Sequence, residues 1–312
     1  MSGGFRVEQM AEAGDLAGHL FVDPAFLAYQ SRAQDKQLTT FAAVGADGAT
    51  AASLTLAGRE GVWTSPVTGA FGGLAASARA PADCVFEIVD AATRWLADTG
   101  AKTGVVRLAP DVFADPTAAA LENALVRRGW RLAEADINFH LPVTAPDLFL
   151  RGLSETKQKE VRRLQRSGAG FRRLAPGEGR LAYQVIADNR AARNYPMTMT
   201  WPQVEALAAA LPAEVSFWVA ERGADILAGA ICLRLTPAYA YVFYWGEAPA
   251  FRKESPVLLL AEGLVAEHHR QGAAILDLGI STAQSAPNPG LIAFKEGLGC
   301  RASGKRTYVL ER

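Results

Sequence analysis

Apolar positions along the chain switch between two spacings, and the switches mark out its elements. Residues 41–44 and 51–57 flank a turn at Gly45-Ala46-Asp47-Gly48 and read as the arms of a hairpin, with a third strand over 61–67. Asp83 then reads as an N-cap. Val85, Ile88, Val89, Ala92 and Leu96 recur at helical spacing until Gly100 stops the run. Residues 105–108 form a short apolar strand, Asp115-Pro116 opens a helix carrying Leu121, Leu125 and Val126, Gly129 closes it, and 130–141 reads as a strand.

The second half repeats this order. Residues 216–220 and 226–235 flank a turn at Arg222-Gly223-Ala224-Asp225, and 239–245 makes an aromatic strand on which Tyr239, Tyr241, Phe243 and Trp245 alternate onto one face. Ser255-Pro256 reads as an N-cap with proline at the first helical position, ahead of Val257, Leu260, Ala261, Leu264 and Val265. Residues 275–278 form the next strand. Asn288-Pro289 opens a further helix, Gly299 closes it, and a last strand falls near 306–310. The spacing between counterparts is nearly constant: Gly100 to Gly272 is 172 residues, Asp115 to Asn288 is 173 and Gly129 to Gly299 is 170. An internal duplication accounts for that constancy. The fold class that follows is α+β, with two tandem domains at 1–145 and 146–312, each a mixed and mostly antiparallel sheet flanked by helices.

Composition narrows the function classes. With 32 basic and 32 acidic residues among 312, no global field draws the chain to nucleic acid, membrane or an acidic partner. A local excess is present at 150–173, where Lys157, Lys159, Arg162, Arg163, Arg166, Arg172 and Arg173 outnumber Glu155 and Glu160. That segment reads as a solvated helix face or as a local anion site. The start has no basic-then-apolar signal pattern, and no run of about 18 apolar residues is long enough to span a bilayer. A cytoplasmic location is the expectation. Cys84, Cys232 and Cys300 form no CxxC pair, and the four histidines show no metal-ligand spacing, so neither a disulfide framework nor a metal is expected.

The run Leu276-Asp277-Leu278-Gly279 at a strand end, followed by Gly290-Leu291, Phe294-Lys295 and Leu298-Gly299 on one helix, resembles the Fem-type (FemAB-like) tandem branch of the GNAT acyltransferase superfamily. Asn288 opening that helix resembles the last motif of GNAT enzymes, and the basic helix at 153–168 resembles the segment that begins the branch's second domain. The first copy matches only in element order. The resemblance implies a transferase, N-acetyltransferase-like in type, moving an acyl or aminoacyl group from an activated carrier to an amine of a small-molecule, cell-envelope or polysaccharide precursor. Two carriers occur in the superfamily, acyl-coenzyme A and aminoacyl-tRNA. The neutral net charge favours acyl-CoA, and tRNA is the less favoured partner. A catalytically inactive binding module is the rival reading.

In an ordinary GNAT enzyme a glycine-rich loop after the fourth strand, at the start of the helix that follows it, holds the coenzyme's diphosphate on bare amides. Here Arg252, Lys253 and Ser255 stand in that place, Pro256 removes an amide donor, and the two cations and the hydroxyl are the expected carrier contacts together with Ser281, Asn288 and Phe294. Lys295 occupies the place of the usual tyrosine acid, where a cation stabilises charge on the leaving group. Leu125 stands there in the first copy, so the N-terminal domain is expected to be non-catalytic. Glu247 and Asp277, at two strand ends, are the candidate proton acceptors, and Tyr244, Trp245, Arg193 and Tyr195 the candidate acceptor-binding residues.

Overall fold

A computed structural model describes residues 5–16, 18–78 and 80–312. Along the chain run β1 (Arg6–Met10), α1 (Pro24–Ala33), β2 (Gln37–Val44), β3 (Thr50–Arg59), β4 (Val62–Ser65), β5 (Leu74–Ala76), α2 (Ala82–Asp98), β6 (Thr103–Arg107), α3 (Ala118–Arg127) and β7 (Arg131–Pro142). The stretch between the copies is mostly helical: α4 (Pro146–Gly152), α5 (Glu155–Arg166), α6 (Arg180–Ala191) and α7 (Trp201–Ala210), with a short β8 (Gly170–Arg173) inside it. Then come β9 (Val215–Arg222), β10 (Asp225–Thr236), β11 (Tyr239–Glu247), α8 (Val257–Arg270), β12 (Ile275–Ile280), β13 (Thr282–Ala283), β14 (Ala286–Pro287), α9 (Pro289–Glu296) and β15 (Arg301–Glu311).

Two compact units result. The first comprises 1–137, 282–287 and 303–312, the second 138–281 and 288–302. The division differs from a single cut after residue 145 because the chain's last strand belongs to the first unit. There β15 pairs antiparallel with β6, Leu310 opposite Gly104, and the strand order is β1-β2-β3-β4-β6-β15. In the second unit residues 138–142 of β7 pair antiparallel with β12, and the order continues β12-β11-β10-β9-β8. Each copy's closing strand therefore completes the sheet of the other unit, a non-local pairing that local periodicity does not encode.

In the first unit α2 buries Val85, Ile88, Val89, Ala92 and Leu96, the residues its spacing singles out, among Phe41, Leu54, Leu56 and Val106. Asp83 sits in the first turn of α2 rather than at its cap; the cap position is Pro81, without a side-chain bond. In that turn a carboxylate still complements the positive end of the helix. In the second unit α8 is apolar nearly all round, burying Leu258, Leu260, Leu264 and Val265 against Ala228, Ala230, Val242 and Leu276. Helix α5 adds Val161 and Leu164 to that core and leaves Arg162, Arg163 and Arg166 exposed. No helix of the described residues is long and apolar enough to cross a membrane.

Candidate functional site

The second unit's sheet has a built-in opening. Strands β11 and β12 pair in parallel from Tyr239 with Ile275 to Tyr241 with Asp277, and no further. Both continue, to Glu247 and Ile280, beyond their last paired residues, so their ends part. Across β11's other edge the register with β10 slips by one at Phe243: Cys232 faces Val242, whereas Ile231 faces Tyr244. One extra residue on one strand is a bulge, and it reverses the alternation beyond it. The expected row of four aromatics on one face is thereby broken. Tyr244 shares the side of Tyr241, while Trp245 turns to the α8 side with Val242 and packs edge-to-face on Phe294 of α9, ring centroids 5.9 Å apart.

Asp277 ends the paired stretch of β12 and is buried. Its Oδ1 accepts from the Gly279 amide at 2.8 Å and from Asn138 Nδ2 at 2.9 Å, and its Oδ2 accepts from the Tyr239 hydroxyl at 2.6 Å. Gly279 has φ 73°, which only glycine adopts without strain, and that twist folds its amide back onto the carboxylate. The two peptides that follow are held by Lys295. Its Nζ donates to the carbonyls of Gly279 at 2.7 Å and Ile280 at 3.0 Å and lies 5.6 Å from the centre of the Phe139 ring. Lys295 is only 1% exposed, so it is an inward lysine and not a surface cation on an exposed helix face. An ammonium has three donors. The third has no hydrogen-bond acceptor among the described residues.

Burial pushes the Asp277 carboxyl up, and the bonds from Tyr239, Gly279 and Asn138 and the charge of Lys295 restore only part of that. Burial likewise draws Lys295 down to about 8, with Asp277 and the Cys300 thiol opposing. Cys300 itself is pushed up to about 12, mainly by burial. The two opposite charges attract, yet burial shifts each pKa toward the neutral form, so loss of water outweighs their attraction.

Helix α9 carries Lys295 inward because its start is fixed. Asn288 Oδ1 accepts from the Leu291 amide at 3.1 Å, an N-cap of the kind its position predicts. The helix proper ends at Glu296, and Gly299 follows with φ 80°. Asn288 Nδ2 also reaches the Tyr195 hydroxyl, at 3.5 Å. Tyr195 belongs to the loop between α6 and α7. From the same loop Arg193 meets Glu247 Oε1 at 3.5 Å, and Thr198 hydrogen-bonds the Tyr244 hydroxyl, whose ring carries Arg190 at 5.6 Å.

Glu247 closes β11, 8% exposed, its pKa raised by burial and lowered in part by Arg193, Arg252 and the Val257 amide. That amide opens α8, so a carboxylate of the chain itself already faces the helix start. Ser255 does not cap the helix: it adopts φ 55°, and the cap position is Pro256, which makes no side-chain bond. Arg252 and Lys253 are exposed just before it. Glu254 is tied to Arg222 by bonds of 2.8 and 3.2 Å. Ser281 is buried, and its hydroxyl has no partner.

The structure thus brings Lys295, Asp277, Glu247, Asn288, Tyr195, Arg193, Tyr244, Trp245 and Phe294 to the parting strands or the loop and helix beside them. Arg252, Lys253 and Ser255 lie at the start of α8, where Arg252 is near enough to Glu247 to lower its pKa. Asn138 and Tyr239 complete the Asp277 network and escape a reading of the sequence. Asn138 lies at the end of the first copy, and Tyr239 looks like one more core aromatic. The only signal was an asparagine and a histidine, His140, two apart on a strand otherwise apolar at its end.

Parting strands beside a capped helix define the class: the chain has the tandem GNAT fold of the Fem-like kind. Residues 153–290 match the acetyltransferase (GNAT) domain family. The crystal structure of FemX is similar at a TM-score of 0.73, with 12% identity over 98% of this chain and 97% of that one. A tandem GNAT protein from the clavulanic acid biosynthesis pathway gives 0.55, with 13% identity over 98% of each chain. L-PGS from Bacillus licheniformis gives 0.57, with 14% identity over 95% of this chain and 93% of that one. At such identities the likeness is one of fold. No curated protein matches the chain by sequence.

Proposed function

We propose that the chain is an N-acyltransferase that moves an acyl or aminoacyl group from an activated carrier to an amine, with its chemistry in the second unit. The observation that carries this reading is the opening between β11 and β12 with Lys295 clamped at its inner wall. The acceptor nitrogen attacks the acyl carbon, its surplus proton passes to Glu247 directly or through water, and the carbon–oxygen or carbon–sulfur bond to the carrier breaks. Backbone amides near the parted strand ends and the third N–H of Lys295 stabilise the charge that develops on oxygen or sulfur. A carboxyl whose pKa burial has raised is suited to accept that proton. Asp277, with three donors on its two oxygens, acts as a positioning residue for the Gly279 turn and not as the base.

Of the two carriers, the start of α8 weighs toward an aminoacyl ester on tRNA and against acyl-coenzyme A. A diphosphate would meet Pro256, which lacks an amide hydrogen, the left-handed Ser255 and the Glu247 carboxylate, instead of a ring of bare amides. The exposed arginines of α5 suit an extended polyanion better than a single diphosphate. Labelled acetyl-CoA and a pool of charged tRNA, each offered with amino-sugar and peptide amines, test the choice. Label leaving the tRNA, with binding that falls steeply with salt, supports the ester. Transfer from acetyl-CoA alone overturns that choice, and transfer from neither overturns the acyltransferase reading.

A further inference from the structure

The first unit contains a cavity that plays no part in this chemistry. It has a volume of about 970 Å³ and lies where α1, the β3–β4 turn and the C-terminal end of α2 come together. Its floor is aromatic: Trp63 and Trp95 meet edge-to-face with ring centroids 4.6 Å apart. Gly58 makes this floor possible, since a Cβ there would sit 2.1 Å from the Trp63 ring, so the indole lies directly on the β3 backbone. Both tryptophans are half-buried, and neither indole N–H has a hydrogen-bond partner among the described residues.

The rim is polar and nearly balanced. Arg59 lies 3.4 Å from Asp35 on one side and 3.4 Å from Glu60 on the other, all three side chains more than half exposed. Asp35 and Glu60 have φ 49° and 54°, a region costly for residues with a Cβ, and both strained positions fall on this one rim. Backbone strain of this kind gathers where side chains are held for binding. Gln9 and Gln37 add neutral amides to the wall. Lys36 also lines the wall, but its Nζ is spent on the Val67 carbonyl at 2.9 Å.

We propose that this cavity binds a carbohydrate, one neutral pyranose ring lying on the Trp63–Trp95 floor with its hydroxyls meeting Arg59, Asp35, Glu60 and the two glutamines. The ligand class follows from the pairing of surfaces. An aromatic floor of two indoles set at 86° to one another, with two N–H donors unengaged among the described residues, suits a ring with an apolar face and acceptor oxygens. A rim that mixes cations, carboxylates and amides offers both donors and acceptors and little net charge, which fits hydroxyls better than a phosphate or an ammonium. The inference does not rest on the acyltransferase reading, and its readout is binding alone.

The test is titration of the full chain with soluble tetrasaccharides of glucose, mannose and N-acetylglucosamine, followed by tryptophan fluorescence and calorimetry. Saturable binding of at least one is expected. Asp35→Ala combined with Arg59→Ala, both at exposed side chains, should leave the melting temperature in place and weaken that binding about tenfold or more. Trp63→Phe should weaken it as well, and because Trp63 also packs on Gly58, the rim variant keeps the test interpretable if Trp63→Phe unfolds. Absence of saturable binding by all three sugars, or equal affinity in the rim variant, overturns the proposal. Preferential binding of inorganic phosphate or a nucleotide at the cavity would overturn the assignment to carbohydrate.

Discussion

Replacing Lys295 by methionine, in a Cys300→Ala background, isolates the energetics of the buried amine. At neutral pH the native side chain is a charge removed from water, and its pKa falls from 10.5 to about 8. At about 1.4 kcal/mol per pH unit, the charged form costs the fold about 3 kcal/mol. That cost is net of the two hydrogen bonds to the Gly279 and Ile280 carbonyls, which favour the charged form. Methionine removes that cost together with the bonds, so stability at pH 7 should change by no more than about 3 kcal/mol. The pH dependence is diagnostic. Below pH 8 folded and unfolded chains both hold the proton and the cost is fully present. Between about 8 and 10.5 the folded chain has released it while the unfolded chain keeps it, so stability attributable to Lys295 rises with pH. By pH 9 the gain over pH 7 is about 1.3 kcal/mol. Tyr239 and Tyr241, whose pKa values burial raises, pull the other way at higher pH, but they are common to both proteins and drop out of the difference. Urea unfolding of the two proteins between pH 7 and 9 should give midpoints that diverge in favour of lysine as pH rises. Parallel midpoints would refute the claim that Lys295 is a buried cation in the folded state.

Asp277→Ala strands the Tyr239 hydroxyl, the Asn138 amide and the Gly279 N–H, and should cost about 3 to 5 kcal/mol by urea unfolding; a loss below about 1 kcal/mol would mean the network is not formed. Gly279→Ala places a Cβ at φ 73° with the Tyr241 hydroxyl in ordinary contact at 3.5 Å. It should cost about 1 to 2 kcal/mol through backbone strain, and acyl transfer should fall further than stability because the peptide held by Lys295 shifts; unchanged turnover would count against the turn's role. Arg193→Ala removes a charge that lowers the Glu247 pKa, so the acid limb of the pH–rate profile should move to higher pH. An unmoved limb would exclude Glu247 as the group that must be ionised.

The elements were largely legible because each carries its own signal. The apolar spacing of α2, the Asn288 cap and the turn glycines Gly45 and Gly48 are local, and local structure follows from them. The sequence singles out Lys295 as a candidate through its place on a helix opened by Asn288 after a strand ending in Gly279, but not its burial. Lysines on short helices usually reach solvent, and only the carbonyls of Gly279 and Ile280 draw this one inward. The bulge at Phe243 was hidden because the sequence alternates smoothly through it, and the slip shows only against β10. The exchange of β7 and β15 was hidden for the same reason, since pairing partners far apart in sequence leave no local mark. Ser255 looked like a cap because serine before proline usually is one, and the left-handed turn overrode that preference.

The central claim is that acyl transfer occurs at the opening between β11 and β12 and requires the Lys295 ammonium. The pH dependence of single-turnover transfer to an amine, in wild type, Lys295→Arg and Lys295→Met, tests it most directly. Wild-type transfer should fall as pH rises through about 8, where the ammonium is lost. Lys295→Arg should keep measurable transfer without that falling limb, and Lys295→Met should lose about a hundredfold or more at pH 7 while remaining folded. Transfer by folded Lys295→Met at the wild-type rate, or the same falling limb in Lys295→Arg, would contradict the account.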